Sequence, residues 1–437
     1  MSETTDRSTS RAIDRRRALH RYPEPAWREF YTTSRLVDYV EEIGVDEVVV
    51  GEDAMVSEKR LGVPDSDVLD EWRERARNAG AREDVLEATA GGHTGLLAVL
   101  ERGPGPVVGL RVDIDALPFA ESEGSDHAPV AEGFRAEHDD AMHACGHDAH
   151  MSMGLGVLEA IKASDFSGTF KLFFQPSEEI LGGGDAMAST EYVDDIDRLF
   201  AVHIGLGAPS GTIVAGVDKQ LAIRQSTATF RGESAHAGLA PQDGRNAMQA
   251  MATAITNLYG IARHEDDLTR VNVGRAEAGS ASNIVADSAT IELEVRAGAN
   301  HVLDHMTEEA DRILQSAAEM HECDLETTVT GRAPRADSSD SLRETVETVA
   351  RQHDDVDTVV PSTGFGASED ATYFMQRVVD NGGDATHVLV GTDLPSGHHT
   401  PRFDIDEESI GIGIDVLSRS ILAAAAESET SETGDRV

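Results

Sequence analysis

The chain of 437 residues sets 37 lysines and arginines against 80 aspartates and glutamates, a net charge of −43. Phosphate backbones are repelled by so acidic a protein, which sets nucleic-acid binding aside. The length exceeds one ordinary hydrophobic core, so two domains are expected, and 40% hydrophobic residues suffice for both to be globular.

Residues 1–10 and 427–437 are polar and expected to fray. Apolar residues from Ala12 to Ile43 recur at helical spacing, broken by Tyr22-Pro-Glu-Pro25, and Asp67 to Ala79 reads as a surface helix. Gly91-Gly-His-Thr-Gly95 is a turn before a strand over 96–100. Strands at 107–112, 169–174 and 199–203 then alternate with a helix over 151–163, which predicts a layered α/β domain with a largely parallel sheet. The character changes near Gly216. A strand at 222–230, a helix at 246–262, strands at 271–274 and 289–296, a helix at 302–320 and a strand at 325–330 make a compact α+β module of ferredoxin-like order. Helices at 341–352 and 371–378 and a strand at 386–390 resume the first pattern. The expected division is therefore a domain of residues 1–216 and 333–437 with 217–332 inserted into it.

Only Lys59, Lys162, Lys171 and Lys219 are lysines, so arginine supplies nearly all the positive charge. An acidic, lysine-poor surface suits concentrated salt, where the Debye length falls to about 3 Å at 1 M, and a halophilic source is expected. The two cysteines, Cys145 and Cys323, make no disulfide framework. No signal-peptide segment opens the sequence, and no apolar run approaches the roughly 20 residues that span a bilayer. A soluble, cytoplasmic protein with no membrane partner is the expectation.

Four segments carry chemistry. His143-Ala-Cys-Gly-His-Asp-Ala-His150 sets a thiol and an imidazole two residues apart, good ligands for a divalent transition ion, on a loop entering a helix. Phe173-Phe-Gln-Pro-Ser-Glu-Glu179 delivers two adjacent carboxylates at a strand end, Phe200-Ala-Val-His203 delivers a histidine at another, and Gly397-His-His-Thr-Pro-Arg-Phe-Asp404 follows the last strand. Taken singly, each has an ordinary reading as a solvated loop or a hydrogen-bonded histidine. Functional sites of open α/β sheets gather at the carboxyl ends of strands, so the four can converge, and the mixed Cys/His/Glu set suits zinc or manganese. No Gly-x-Ser-x-Gly nucleophile elbow occurs.

These segments, with Ala235-His-Ala-Gly238, Phe403-Asp-Ile-Asp-Glu407, Arg60-Leu-Gly-Val-Pro64, Arg270-Val-Asn-Val-Gly274 and Ser368-Glu-Asp-Ala-Thr372, resemble the amidohydrolase branch of the dinuclear aminoacylase and carboxypeptidase superfamily. Within it the likeness is to the aminobenzoyl-glutamate hydrolase A-subunit type, over essentially the whole chain except the termini. The resemblance implies a zinc-peptidase-like catalytic domain with a mixed sheet flanked by helices, and an inserted domain that dimerises and covers the site.

It also implies two divalent ions, manganese or zinc. Cys145 would bridge them as a thiolate, with His147 and Glu179 completing one and His203 and His399 the other. His399 is taken over His398 because its spacing to Phe403-Asp404 matches the family motif. Glu178 would act as general base and then acid, and Asp113 and Asp115 would orient the metal-binding loop from behind. His236 would stabilise the tetrahedral oxyanion and, with Asn283, reach across into the partner's active site. Arg296 would hold a substrate carboxylate, its alternative being a structural ion pair, and Gly364-Phe-Gly366 could add backbone donors. The implied activity is hydrolysis of an N-acyl amino acid, with p-aminobenzoyl-glutamate preferred. The alternatives to that activity are a broader N-acyl amino acid amidohydrolase or dipeptidase, or a subunit that depends on a partner; a homodimer is expected, with a homologous second subunit as its alternative.

Overall fold

The computed structural model describes residues 3–434 except Asp266 and Phe365, the side chains of 3–7 and 427–434 also lying outside the described set. Two compact units divide the chain. The second comprises Lys219–Arg335 together with Gly366–Glu369; all else belongs to the first. The insertion thus runs from 219 to 335 rather than from 217 to 332. The chain also returns to it over four residues, where Leu221 N–H donates to Ala367 O and Ser368 Oγ donates to Leu221 O. So short a return has no periodicity by which a sequence could betray it.

The first unit is built on an eight-stranded sheet. Its middle is four adjacent parallel strands, in the order Thr169–Gln175, Val107–Asp113, Arg198–Ile204 and Asp384–Val390. These are near-continuous apolar runs because helices cover both faces of a parallel sheet; Phe170, Leu172, Phe173 and Phe174 are all fully buried. Antiparallel neighbours, Leu96–Glu101 on one side and Thr212–Val214 on the other, make the sheet mixed rather than largely parallel. Because the four central strands run the same way and pair in register (Asp113 opposite Gln175, His203 opposite Leu389), their carboxyl ends emerge along one edge of the sheet.

The helix behind that edge, His147–Ala163, starts four residues before the apolar periodicity suggests. Its first turn is polar yet wholly buried, so the pattern hides it; His147 is therefore a helical residue, not a loop residue. Gly146 caps it at φ 92, and a Cβ there would lie 2.5 Å from Ile204 Cγ2, so only glycine lets the loop pass against the strand. Helices Glu3–His20 and Glu408–Gly434 pack on this helix. The first begins at Glu3, inside the stretch expected to fray. The last corrects the reading of apolar runs: Glu408–Ala426 is 19 residues long and apolar enough to cross a membrane by length and composition. In the fold its Ile410, Ile414, Leu417 and Ile421 are core residues.

The second unit is a four-stranded antiparallel sheet, ordered Asp324–Ala333, Ala222–Arg231, Ser288–Ala297 and Thr269–Ala278. Helices Ala247–Leu258 and Asn300–Met320 cover it, giving the ferredoxin-like βαββαβ arrangement. Phe230, Ile291 and Val295 from the strands meet Ala250, Leu258, Met306 and Leu314 from the helices in its core. Asn246 starts the first helix by accepting from the N–H groups of Met248 and Gln249.

Candidate metal centre

At the carboxyl edge of the parallel strands, Cys145, His147, Glu178, Glu179, His203 and His399 come together. Cys145 Sγ, His147 and His203 form one group whose donor atoms lie within 4.8 Å of one another; Cys145, Glu179 and His399 form a second, and His147, Glu178 and Glu179 a third. Cys145 is shared by the first two. Its Sγ is 3.5 Å from His203 Nε2, and Glu179 Oε2 is 3.3 Å from His399 Nε2. His147 Nε2 lies 3.8 Å from Glu179 Oε1 and 3.9 Å from Glu178 Oε2.

The outward hydrogen bonds fix which nitrogen faces the centre. His147 Nδ1–H donates to Asp115 O at 2.9 Å and His203 Nδ1–H to Ile204 O at 2.8 Å, so both turn Nε2 inward. Such partners on the far nitrogen orient imidazole ligands. His147 Nε2 is buried and makes no hydrogen bond, and burial among other imidazoles holds His203 well below its ordinary value, hence neutral. Burial opposes charge on His147, yet Asp113, Asp115 and Glu179 outweigh it and push the imidazole up to about 10. A thiol, three imidazoles and several carboxylates around one buried spot therefore fit divalent cations in charge, donor type and nitrogen orientation.

Asp113 and Asp115 lie behind the cluster and bond to the segments around it. Asp115 accepts the N–H of Glu178 with one carboxylate oxygen and that of Glu179 with the other, both at 3.0 Å. Asp113 accepts from Arg111 at 2.8 Å and from His150 Nδ1, while His150 Nε2 accepts the N–H of Ile204 at 2.9 Å. Both nitrogens of His150 are thus hydrogen-bonded, although Asp113, His147 and His150 make a fourth group with donor atoms within 4.8 Å of one another. His398 Nε2–H donates to Ile204 O at 3.3 Å, its ring beside Phe403, whereas His399 reaches Glu179. His143 is buried with neither ring nitrogen hydrogen-bonded, and burial pushes it down to about 3. Ser177 and His399 hold positive φ values of 59 and 58, the conformations that turn Glu178 and His399 toward the cluster.

Three supports escaped the sequence. Glu29 accepts Ser177 N–H at 2.8 Å and Thr94 Oγ1–H at 2.5 Å, pinning the turn that carries Glu178. Burial, with Asp115 adding to it, raises Glu29 to about 8. Arg111 joins Asp113, Gln175 and Asp370 in a fully buried network. Arg16 donates to Asp148 at 2.9 Å, Asp404 at 2.6 Å and Glu407 at 3.0 Å, with the His20 ring on the same Asp148 oxygen. It ties the first turn of the His147 helix to the segment that follows His399. Each partner is remote in sequence, and the triplet Arg15-Arg-Arg17 looks like a solvated face.

The other expected residues lie in the second unit. His236 is exposed in a turn, its Nδ1 accepting the N–H groups of Gly238 and Leu239; it bridges Ile284, and next to it Ala237 N–H donates to Asn283 O at 2.9 Å, so the segments of His236 and Asn283 run side by side. Arg296 is half-buried and paired with Glu294 at 3.0 Å. The Gly364-Phe-Gly366 donors fall partly outside the described residues, since Phe365 does.

A mixed-sheet unit with clustered thiol, imidazole and carboxylate donors at its carboxyl edge, carrying an inserted ferredoxin-like unit, defines a metallohydrolase architecture. The chain belongs to peptidase family M20/M25/M40, whose pattern matches residues 109–423. It is 38% identical over 411 residues to the A-type subunit of the p-aminobenzoyl-glutamate hydrolase of Escherichia coli, covering 93% of this chain and 94% of that protein. It is 39% identical over 414 residues to the indole-3-acetyl-aspartic acid hydrolase of Enterobacter agglomerans, again covering 93% and 94%. The crystal structure of an aminobenzoyl-glutamate utilization protein from Klebsiella pneumoniae superposes with a TM-score of 0.82 at 31% identity, over 96% of this chain and 97% of that one. The chain is a metal-dependent amide hydrolase.

Proposed function

We propose that this enzyme hydrolyses N-acylated acidic amino acids bearing an aromatic acyl group, with p-aminobenzoyl-glutamate the preferred substrate and p-aminobenzoate and glutamate the products. The names of the two relatives support this reading, since both join an aryl-bearing acyl group to a dicarboxylic amino acid. The observation that carries it is the convergence of Cys145, His147, Glu179, His203 and His399 around Glu178. Those five are the proposed donors to two divalent ions, manganese or zinc, with Cys145 shared. When bound, such ions supply Lewis acidity to the amide carbonyl and acidity to water.

The chain's own groups do the rest. Glu178 takes the proton of the attacking water on its carboxylate and gives it to the amine nitrogen as the C–N bond breaks. Asp115 keeps the Glu178 and Glu179 backbone in place while that carboxylate changes charge. Arg296 offers a guanidinium to a substrate carboxylate, exchanging Glu294 for it. In the proposed homodimer, His236 and Asn283 of one protomer serve the other's centre, His236 stabilising the oxyanion. Six of the eight large apolar side chains exposed among the described residues (Leu239, Met248, Tyr259, Leu268, Ile284 and Met320) belong to the second unit, which favours a protein partner there. Two relatives are named as one kind of subunit of a hydrolase, which leaves a homologous second chain as the alternative partner. A cytoplasmic, halophilic setting completes the proposal.

The test is kcat/KM on aromatic acyl groups joined to glutamate, aspartate and neutral amino acids, alongside the mass of the pure chain in solution. Preference for the acidic amino acids supports the reading. Equal rates on neutral ones replace it with a broad aminoacylase or dipeptidase, and inactivity of the pure chain with a partner-dependent subunit.

A further inference from the structure

The turn of residues 177–182 carries Glu178 and Glu179, and it is gripped at both ends by groups outside the donor cluster. At its start Ser177 holds φ 59, a left-handed conformation that only its surroundings impose on a residue with a side chain. Ser177 N–H donates to Glu29 Oε1 at 2.8 Å, and Glu29 Oε2 accepts Thr94 Oγ1–H at 2.5 Å. Inside the turn, Gly182 N–H donates to Ser177 O at 2.9 Å and Leu181 N–H to Glu178 O at 2.7 Å. At its close, Leu61 N–H donates to Gly182 O at 3.2 Å, and Leu61 O accepts Trp27 Nε1–H at 2.7 Å. A Cβ on Gly182 would lie 2.5 Å from Leu61 O, so the Arg60-Leu-Gly-Val-Pro64 segment rests directly on the turn. Trp27, fully buried at φ 63, stands two residues ahead of Glu29, so one short segment supplies both grips.

Glu29 is fully buried and belongs to none of the donor groups. Asp115 takes the next two amides, so three successive N–H groups end on two buried carboxyls. Without Glu29 the Ser177 N–H is a buried donor with no acceptor, a cost that the turn escapes by rotating at Ser177. That rotation swings Glu178, the next residue, away from the cluster. We propose that Glu29 is a positioning residue for Glu178, selecting the one turn conformation in which that side chain faces the cluster. The proposal rests on the reading of Glu178 as the proton carrier. Burial, with Asp115 adding to it, raises Glu29 to about 8, so a neutral carboxamide is a close match at neutral pH. In E29Q the amide oxygen still accepts Ser177 N–H, and the Thr94 hydroxyl turns to accept instead of donate.

The experiment compares E29L, E29Q, E178Q and E29L/E178Q as metal-loaded enzymes in high salt. It reads hydrogen exchange of the Ser177 amide, metal content, and kcat and KM on the fastest N-acyl amino acid substrate. E29L should exchange that amide about tenfold faster or more, and lose kcat by a similar factor, with KM and metal content unchanged. E29Q should bring exchange and kcat back to within about threefold of the wild type, since it keeps the acceptor. Because Glu29 acts through Glu178, E29L/E178Q should be no slower than E178Q. Should E29L fail to fold, E29D, shorter by one methylene, takes its place. Wild-type exchange or wild-type kcat in E29L overturns the proposal, as does E29Q no better than E29L. So does a double variant slower than E178Q by the full factor of E29L. Wild-type turnover in E178Q overturns the reading of Glu178 itself, and fast exchange in E29L would then mark a grip without a catalytic role.

Discussion

Asp115 holds two adjacent backbone amides, one on each carboxylate oxygen, and so sets the direction of both Glu178 and Glu179. A pair of neighbouring glutamates would otherwise point to opposite sides of an extended chain; the left-handed Ser177, held by Glu29, lets the turn present both. On the proposed mechanism Glu178 moves a proton and Glu179 holds an ion. E178Q keeps the size and the backbone contact but cannot take the proton. Its turnover should fall about 10²–10⁴-fold with the metal content of the wild type, measured by steady-state kinetics beside elemental analysis. The residues that cluster were legible in the sequence because each sits in a short segment dense in chemistry. Glu29, Arg111 and Asp370 were not, because a buried carboxylate or guanidinium gets its meaning from partners far along the chain.

The helix His147–Ala163 presents the same contrast at the scale of an element. Its apolar later turns announce it, while its first turn is filled with His147, Asp148 and His150, whose burial depends on Arg16, His20 and Asp113. Strands of two or three residues, such as Thr212–Val214 and Thr358–Val360, are too short for any period, and the Gly411 and Gly413 in Glu408–Gly434 masked a core helix. Arg16 is fully buried among three carboxylates. R16M should cost about 3–5 kcal/mol, the loss expected when buried charges are stranded, read as a lowered midpoint in denaturant at fixed salt. His20 adds a pH dependence. Burial alone would lower it, but Asp148 and Glu121 raise it to about 9 from 6.5. The stability it contributes is complete below pH 6.5 and is lost as pH rises through 9, an effect on the order of 3 kcal/mol. H20Q should flatten that decline; an unchanged stability profile between pH 6.5 and 9 would contradict it.

For the whole molecule, charge dominates: −43 over 437 residues is self-repulsion that concentrated salt screens. Lowering salt from about 2 M to about 0.1 M, which lengthens the screening distance to about 10 Å, should reduce Tm and unfold the chain near room temperature; a salt-independent Tm would refute halophilic adaptation. The change from α/β alternation to a βαββαβ order marked the second unit in the sequence, whereas its bounds lie two and three residues further on and its return at Gly366–Glu369 was hidden. On the proposed mechanism hydrolysis runs on the cluster around Cys145. The most direct measurement is release of glutamate from p-aminobenzoyl-glutamate by the pure protein in high salt, before chelation, after chelation and after adding back Mn2+ or Zn2+. Turnover should be lost on chelation and recover as two ions per chain return; turnover that persists in the metal-free protein would overturn the proposed mechanism.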